Sequence, residues 1–96
     1  MNPTDLFSVQ SRVAIVTGGS SGIGRHIATG LAAAGAKVYI CARTEAKVMA
    51  AAQEISDTTG GTCIGLTADL STLSGIGALV EKVTETESAL HILVNN

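Results

Sequence analysis

A cluster of glycines and serines follows the first apolar run of the chain. Gly18, Gly22 and Gly24 are interspersed here with Ser20 and Ser21. Glycines let the backbone turn sharply and approach a bound group, and the amide groups and dipole at the start of a helix favour negative charge. The chemistry that this spacing predicts is the binding of a phosphate group.

The spacing of the glycines distinguishes this loop from two common phosphate-binding loops. The dinucleotide fingerprint G-x-G-x-x-G fails, because serine occupies its third position whether counting starts at Gly18 or at Gly19. The P-loop fails because Arg25 and His26 stand where it needs Lys and then Ser or Thr. The pattern that remains is G-x-x-x-G-x-G, for which a tight strand–helix junction without a ligand is the alternative interpretation.

The elements that must position this loop are predicted from the spacing of apolar residues. Short apolar runs predict strands at 12–17, 37–42, 62–68 and 91–94, and helical spacing predicts one helix in each of the three intervals. Strands that alternate with helices favour a parallel sheet with right-handed crossovers. The predicted fold class is therefore α/β, a Rossmann-type doubly wound parallel sheet of which the first four strands are present.

The three predicted helices have residues suited to their ends and an apolar side. Thr44 is the expected N-cap of the second helix and Ser71 that of the third, while Gly60–Gly61 ends the second. Gly75 and Gly77 each weaken the third helix by about 1 kcal/mol relative to alanine. The apolar residues at helical spacing are Ile23, Ile27, Leu31 and Ala34 in the first helix, Val48, Ala51, Ala52 and Ile55 in the second, and Ile76, Leu79, Val80 and Val83 in the third.

Composition excludes several classes of protein. The 6 Lys+Arg and 8 Asp+Glu in 96 residues give a net charge of −2, which argues against a disordered chain and against a basic module that binds nucleic acid or a membrane surface. No apolar stretch approaches the roughly 20 residues of a membrane helix, and no secretory signal is visible. Cys41 and Cys63 lack His or Cys partners at metal-ligand spacing, so we expect free thiols, no metal site and a cytoplasmic setting.

Three motifs resemble those of the classical short-chain dehydrogenase/reductases in their order and spacing. They are TGGSSGIG at residues 17–24, Asp69–Leu70 after the third strand, and LVNN at residues 93–96 after the fourth. His91 departs from the Asp that many members have at the start of that strand. The resemblance extends over nearly the whole chain and is strongest to 3-oxoacyl-[acyl-carrier-protein] reductases. It implies a homo-oligomeric oxidoreductase that transfers hydride between a nicotinamide cofactor and a ketone or 3-oxoacyl substrate.

The resemblance also implies a cofactor role for ten residues. These residues are Gly18, Ser20, Ser21, Gly22, Ile23, Gly24, Arg43, Asp69, Leu70 and Asn95. The glycines would shape the loop, the Ile23 amide would lie near the pyrophosphate, and the two serines would offer hydroxyls to the adenosine ribose and its phosphate. Asp69 would accept a hydrogen bond from the adenine amino group beside the Leu70 backbone, or cap the third helix, or both. Asn95 would contact the ribose side and join neighbouring strands.

The residues at the end of the second strand predict which cofactor is preferred. A carboxylate there binds the free ribose 2′-hydroxyl of NAD, whereas arginine accommodates the 2′-phosphate of NADP. Ala42 occupies the position where NAD-preferring relatives have Asp, and Arg43 follows it directly. A charge-assisted contact from Arg43 to the phosphate would contribute about 1.5–3 kcal/mol. We therefore expect NADP(H), with a solvated arginine at a strand end as the alternative.

No catalytic residue can be assigned in this chain, although hydride transfer to a carbonyl requires a proton donor. The family uses a Ser and a Tyr-x-x-x-Lys pair that follow the fourth-strand motif, but the single tyrosine, Tyr39, has Arg43 at the fourth position after it. We expect residues 1–96 to be the incomplete N-terminal part of one Rossmann domain, inactive alone, whose C-terminal half is a continuation or a second chain. A non-catalytic dinucleotide-binding or redox-sensing module and an inert fragment are the alternatives.

Overall fold

The computed structural model describes residues 10–95 as a parallel sheet with helices between its strands. In chain order the elements are β1 (Val13–Thr17), α1 (Gly22–Ala33), β2 (Lys37–Ala42), α2 (Glu45–Thr59), β3 (Thr62–Thr67), α3 (Leu73–Thr86) and β4 (Ile92–Val94). All strand pairs are parallel and the order across the sheet is β3-β2-β1-β4. The predicted doubly wound α/β fold is confirmed. Within residues 10–95, each helix is too short or too polar to cross a bilayer.

Helices cover both faces of the sheet. Helices α1 and α2 pack on one face against Val16, Val38 and Ile40, whereas α3 packs on the other against Ile15 and Tyr39. Side chains alternate between the two faces of a strand, so burial of both faces makes the central strands apolar along most of their length. This double burial explains why β1 and β2 stand out in the sequence as continuous apolar runs.

The two cysteines lie in different layers of the core. Cys41 packs with the α3 side of the sheet and Cys63 with the α1 and α2 side, and both thiols are free and buried. Cys41 is opposite Leu66 and Cys63 is opposite Val38 in the β2–β3 register. The three-residue offset corresponds to about 10 Å along the strands, beyond the reach of a disulfide. The expectation of two free core thiols is confirmed.

Helix α2 follows its sequence signals closely. Thr44 occupies the N-cap position, although its side chain makes no capping hydrogen bond within residues 10–95, and the helix ends at Gly60 in the left-handed conformation. The four residues predicted to face the sheet are all buried, namely Val48, Ala51, Ala52 and Ile55. A single apolar stripe, with a threonine at the N-cap position and a glycine at the end, therefore predicted this helix correctly.

The predicted apolar side of α1 is wrong by one position. The residues that α1 buries are Gly24, Ala28 and Ala32. Ile23 is instead 71% exposed and Ala34 lies beyond the helix as its C-cap, while Ile27 and Leu31 are only partly buried. Small residues at four-residue spacing let the helix axis approach the sheet, and the bulkier residues then lie along the margins of the contact.

The start of α3 also differs from the prediction. Thr72, not Ser71, is the N-cap, and its hydroxyl oxygen accepts a 3.0 Å hydrogen bond from the Gly75 N–H. Ser71 instead donates its N–H and its hydroxyl to Oδ1 of Asp69, at 3.0 and 2.6 Å. Asp69 therefore does not cap the helix, because its carboxylate closes a turn that precedes the helix.

The outer half of the α3 face is open. Leu79 and Val83 are buried as expected, but Ile76 and Val80 are about half exposed and Leu93 of β4 is 63% exposed. These residues border an apolar groove of about 270 Å³ between α3 and β4. Strand β4 is the edge of the sheet formed by the described residues, so its second edge is also unpaired there. We name this surface, formed by Ile76, Val80, Leu93 and the outer edge of β4, the open face.

Candidate nucleotide-binding site

The glycine-rich loop connects β1 to α1 at the carboxyl edge of the sheet, where the carboxyl ends of the parallel strands lie. Gly18 and Gly22 have φ angles of +65° and +59°, a region that favours glycine. The Gly18 N–H donates a 3.0 Å hydrogen bond to the Cys41 carbonyl of β2. The loop is therefore a tight reversal held against the second strand, in the crevice where open α/β sheets bind ligands.

Gly19 lets this loop lie directly on the sheet. A Cβ atom at this position would be 2.5 Å from Cγ2 of Ile40 and 3.2 Å from the Val16 carbonyl oxygen. Because Ile40 is fully buried, it has little room to yield. The pattern G-x-x-x-G-x-G assigns no role to Gly19, and the doubled glycine after the strand was the only available signal for it.

The amino end of α1 is open toward this loop. Ser21 is the N-cap but makes no side-chain capping bond within residues 10–95, and the first turn of α1 carries no acidic residue. The first amide groups of a helix have no intrahelical acceptor, so those of Gly22, Ile23 and Gly24 remain available to an anion. The helix dipole adds partial positive charge at the same place. This end of α1 fits a phosphate group without a competing carboxylate.

A second part of the site lies where β2 and β3 end. An open pocket of about 210 Å³ is lined by Ala42, Arg43, Ala68, Asp69, Leu70 and Ser71. The Ala68 N–H donates a 3.0 Å hydrogen bond to the Ala42 carbonyl, which holds the two strand ends side by side. The structure thus brings Arg43 next to Asp69 and Leu70, two predicted cofactor residues that are distant from it in sequence.

Asp69 is held as a charged hydrogen-bond acceptor in this pocket. The two hydrogen bonds from Ser71 lower the pKa of the Asp69 carboxyl, and the positive charge of Arg43 adds to the effect. Hydrogen bonds to a carboxylate and a nearby cation both favour its ionised form. An ionised Asp69 beside an exposed Arg43 offers both an acceptor for an amino group and a cation for an anionic group.

Asn95 marks the third part of the site, at the end of β4. The Thr17 hydroxyl lies 3.3 Å from Oδ1 of Asn95 and 3.2 Å from the Val94 carbonyl oxygen. These contacts join the carboxyl ends of β1 and β4 next to the glycine-rich loop. The geometry agrees with the expectation that Asn95 joins neighbouring strands, whereas its contact with a ribose stays a prediction.

The predicted cofactor residues therefore form three groups along one edge of the sheet. The loop contributes its glycines with the half-buried Ser20 and the exposed Ser21, the β2–β3 pocket contributes the second group, and Asn95 forms the third. Their individual contacts with a cofactor stay predictions. In the described part of the chain, no three His, Cys, Asp or Glu residues are grouped so that they could bind a metal ion.

Tyr39 is remote from this edge of the sheet. It is 4% exposed, and its hydroxyl donates a 2.6 Å hydrogen bond to Glu87. The same hydroxyl lies 3.0 Å from that of Thr86, the last residue of α3, which Glu87 follows. His91 also lies apart from the site, because its Nδ1 accepts a 2.9 Å hydrogen bond from the Val13 N–H at the amino edge. His26 is exposed on α1. Tyr39 and His91 therefore lie at the edge of the sheet opposite the glycine-rich loop.

Sequence comparison places the chain among known proteins. Residues 12–96 match the family model for short chain dehydrogenase. The rhamnolipids biosynthesis 3-oxoacyl-[acyl-carrier-protein] reductase of Pseudomonas aeruginosa is 46% identical over 90 residues, which cover 94% of this chain and 34% of that relative.

Solved structures have the same arrangement of elements. The Pseudomonas aeruginosa RhlG/NADP active-site complex superposes with a TM-score of 0.89 at 45% identity and covers 100% of this chain and 37% of that one. L-sorbose reductase from Gluconobacter frateurii, complexed with NADPH and L-sorbose, superposes with a TM-score of 0.88 at 36% identity. The match covers 93% of this chain and 34% of the reductase. The chain thus spans about one third of these relatives. It belongs to the short chain dehydrogenase family.

Proposed function

We propose that this chain is the NADP(H)-binding half of an oxidoreductase that transfers hydride between NADPH and a ketone or 3-oxoacyl substrate. The observation that carries the proposal is the pocket at the ends of β2 and β3. It combines Arg43 with Asp69 and has Ala42 where a carboxylate would select NAD. Two similar structures are complexes with NADP or NADPH, which supports the same choice for this chain.

Each part of the site has a distinct task in holding the cofactor. The loop glycines and the first amides of α1 would bind the pyrophosphate, and Ser20 and Ser21 would bind the adenosine ribose and its phosphate. Asp69 would accept a hydrogen bond from the adenine amino group beside Leu70. Arg43 would pair with the ribose 2′-phosphate. Bound NADPH would supply the hydride, and this chain's residues would fix the position from which it leaves.

The substrate class is proposed from the relatives. A 3-oxoacyl reductase and a sorbose reductase are both named for the reduction of a carbonyl compound. The family resemblance implies that the residues that would donate a proton and polarise the carbonyl oxygen, a Ser and a Tyr-x-x-x-Lys pair, would follow the fourth-strand motif. Tyr39 does not substitute for them, since its hydroxyl is engaged with Glu87.

The open face is where the rest of the protein would complete the fold. A further strand beside β4 would pair its free edge, and further structure would cover Ile76, Val80 and Leu93, which are otherwise solvent-exposed apolar residues. Since the relatives are about three times as long, we propose that this partner is the C-terminal half of the same protein. We further propose a homo-oligomer in the cytoplasm, a compartment that suits the free thiols of Cys41 and Cys63.

Binding of two small nucleotides tests the cofactor proposal. The ligands 2′,5′-ADP and 5′-AMP differ only in the 2′-phosphate, and calorimetry should show that the purified protein binds 2′,5′-ADP about tenfold to a hundredfold more tightly. Arg43→Gln should abolish this preference. Arg12→Gln is the matched control, because Arg12 is an equally charged, exposed residue that precedes β1 at the opposite edge of the sheet.

Two results would contradict the proposal: equal affinity for the two nucleotides in the unsubstituted protein, or a preference that survives Arg43→Gln. Activity is tested separately by NADPH oxidation with a panel of ketones and 3-oxoacyl thioesters. Tight NADPH binding without turnover by the complete protein would favour a non-catalytic dinucleotide-binding module.

A further inference from the structure

The first turn of α3 lies against the main chain of Asp69. A Cβ atom added to Gly75 would overlap the Asp69 carbonyl oxygen and would lie 2.8 Å from the carbonyl carbon and 3.0 Å from Oγ1 of Thr72. Two of these three neighbours are backbone atoms, which cannot rotate out of the way as the end of a side chain can. Any residue other than glycine at position 75 must therefore displace either the helix or the Asp69 backbone.

Gly77 provides a direct contrast two residues later on the same helix. Among the described residues, nothing lies within 4 Å of a Cβ atom added at Gly77. Both glycines lower the intrinsic stability of α3 by a similar amount relative to alanine. Only Gly75 has a steric reason to be glycine, and that reason is its contact with Asp69.

Hydrogen bonds make this contact part of a single small unit. The Gly75 N–H donates to the Thr72 hydroxyl oxygen at 3.0 Å, while Ser71 donates its N–H and its hydroxyl to the Asp69 carboxylate. Between the Asp69 carboxylate and the first turn of α3 there are only three residues. A shift of the Asp69 carbonyl by an added methyl group would therefore also move the carboxylate that Ser71 orients.

We propose that Gly75 is a positioning residue for Asp69: by letting α3 start directly against the Asp69 carbonyl, it sets the carboxylate at the place where the adenine amino group binds. The inference rests on the proposed nucleotide site. Gly75 is not among the residues proposed to contact the nucleotide, and it would act through the turn at residues 69–72. Its effect should therefore be specific to recognition of the base.

The test compares Gly75→Ala with Gly77→Ala in the purified protein. The probes are NADPH and its analogue with hypoxanthine in place of adenine, which presents a carbonyl oxygen to Asp69 instead of an amino group. We expect the unsubstituted protein and Gly77→Ala to prefer NADPH by about tenfold or more, and Gly75→Ala to lose most of that preference. A preference retained in full by Gly75→Ala would overturn the proposal.

Crystal structures of the nucleotide-free variants separate this inference from the proposed function. In Gly75→Ala we expect the Asp69–Ser71 hydrogen bonds to lengthen or break, and in Gly77→Ala to remain. If they remain in Gly75→Ala, Gly75 does not position Asp69. If they break but the unsubstituted protein does not distinguish the two bases, the proposed adenine contact of Asp69 is wrong and the positioning stands.

Thr72→Ala serves if Gly75→Ala does not fold. It adds no atom and removes the acceptor of the Gly75 N–H, so the start of α3 should loosen from the Asp69 turn. We expect Thr72→Ala to lose part of the preference for NADPH, and less of it than displacement of the Asp69 backbone in Gly75→Ala would remove. An unchanged preference in Thr72→Ala, with no folded Gly75→Ala available, would overturn the proposal.

Discussion

The Tyr39 hydroxyl donates a 2.6 Å hydrogen bond to the Glu87 carboxylate, which also forms an ion pair with Lys37. Tyr39 and Lys37 belong to β2, whereas Glu87 follows the last residue of α3. The same interaction lowers the pKa of Glu87 and raises that of Lys37, in each case mainly through the hydrogen bond between the two side chains. This cluster fastens the far end of α3 to the sheet, at the edge opposite the nucleotide site.

Removal of the Tyr39 hydroxyl should weaken the fold without affecting nucleotide binding. Tyr39→Phe retains the buried ring but leaves Glu87 and Thr86 without this partner. We expect the free energy of unfolding, measured by urea denaturation, to fall by about 1 kcal/mol. The dissociation constant for 2′,5′-ADP should not change, because the hydroxyl lies at the amino edge. A large loss of nucleotide affinity would show that this edge is coupled to the site.

The Glu87 cluster should make stability depend on pH in acid. The folded-state pKa of Glu87 lies below its ordinary value of 4.5, so its contribution is fully present above pH 4.5 and is lost as the pH falls through the lowered value. Glu87→Gln should be less stable than the unsubstituted protein at pH 7, and the difference should shrink toward pH 3. Thermal unfolding of the two proteins between pH 3 and 7 measures the difference in stability at pH 7 and its decrease in acid.

Glu85→Gln is the control for that experiment. Glu85 is an exposed carboxylate two residues earlier, so the substitution changes the net charge by the same amount. We expect Glu85→Gln to retain the acid dependence of the unsubstituted protein. If both variants lose the acid dependence of stability to the same extent, overall charge and not the Glu87 cluster sets that dependence.

Two glycines outside the site should respond to alanine with opposite sign. Gly30 lies within α1, and nothing among the described residues approaches an added Cβ within 4 Å, so Gly30→Ala should raise the free energy of unfolding by about 1 kcal/mol. A Cβ at Gly61 would overlap the Ala32 carbonyl oxygen, so Gly61→Ala should destabilise the protein. Urea denaturation of both variants checks the signs, and stabilisation by Gly61→Ala would contradict the close packing of α1 on the α2–β3 turn.

Both thiols should resist alkylation in the folded protein. Cys41 is 1% and Cys63 8% exposed, and burial raises the pKa of both thiols, that of Cys63 to about 11. Since the thiolate is the reactive form, labelling by iodoacetamide at pH 8 should be roughly a hundredfold or more slower than in urea. Cys41→Ser and Cys63→Ser assign the residual rate to one thiol. Rapid labelling of the folded protein would show that the strand carrying that thiol opens.

The sequence predicted β1 and β2 best, because burial on both faces leaves them apolar along most of their length. It also predicted α2, where one apolar stripe coincides with clear end signals. It did not predict which residues of α1 are buried, because glycine has no side chain and alanine is only weakly apolar. The sequence therefore places the more hydrophobic Ile23 on the buried side, although this residue is exposed. It failed at the cap of α3 because Ser71 and Thr72 are chemically similar neighbours, and only the hydrogen bonds to Asp69 distinguish them.

The candidate site was predicted as a set of residues but not as an arrangement. Local spacing identifies the loop glycines, and the resemblance supplies Arg43, Asp69 and Asn95. The close approaches at Gly19 and Gly75 depend on atoms of Ile40 and Asp69 in neighbouring elements. Such contacts leave no periodic signal along the chain, so only the folded structure shows why the Cβ of an alanine would not fit at these two positions.

Strand β4 has a further consequence for the order in which the sheet forms. It comprises three residues and pairs with β1 across nearly the whole length of the chain, whereas β1, β2 and β3 are joined through single helices. Closing so long a loop costs more chain entropy and is repaid by few hydrogen bonds. We therefore expect β4 to join last during folding and to detach first in native fluctuations, with amide hydrogens of Ile92–Val94 exchanging sooner than those of β2.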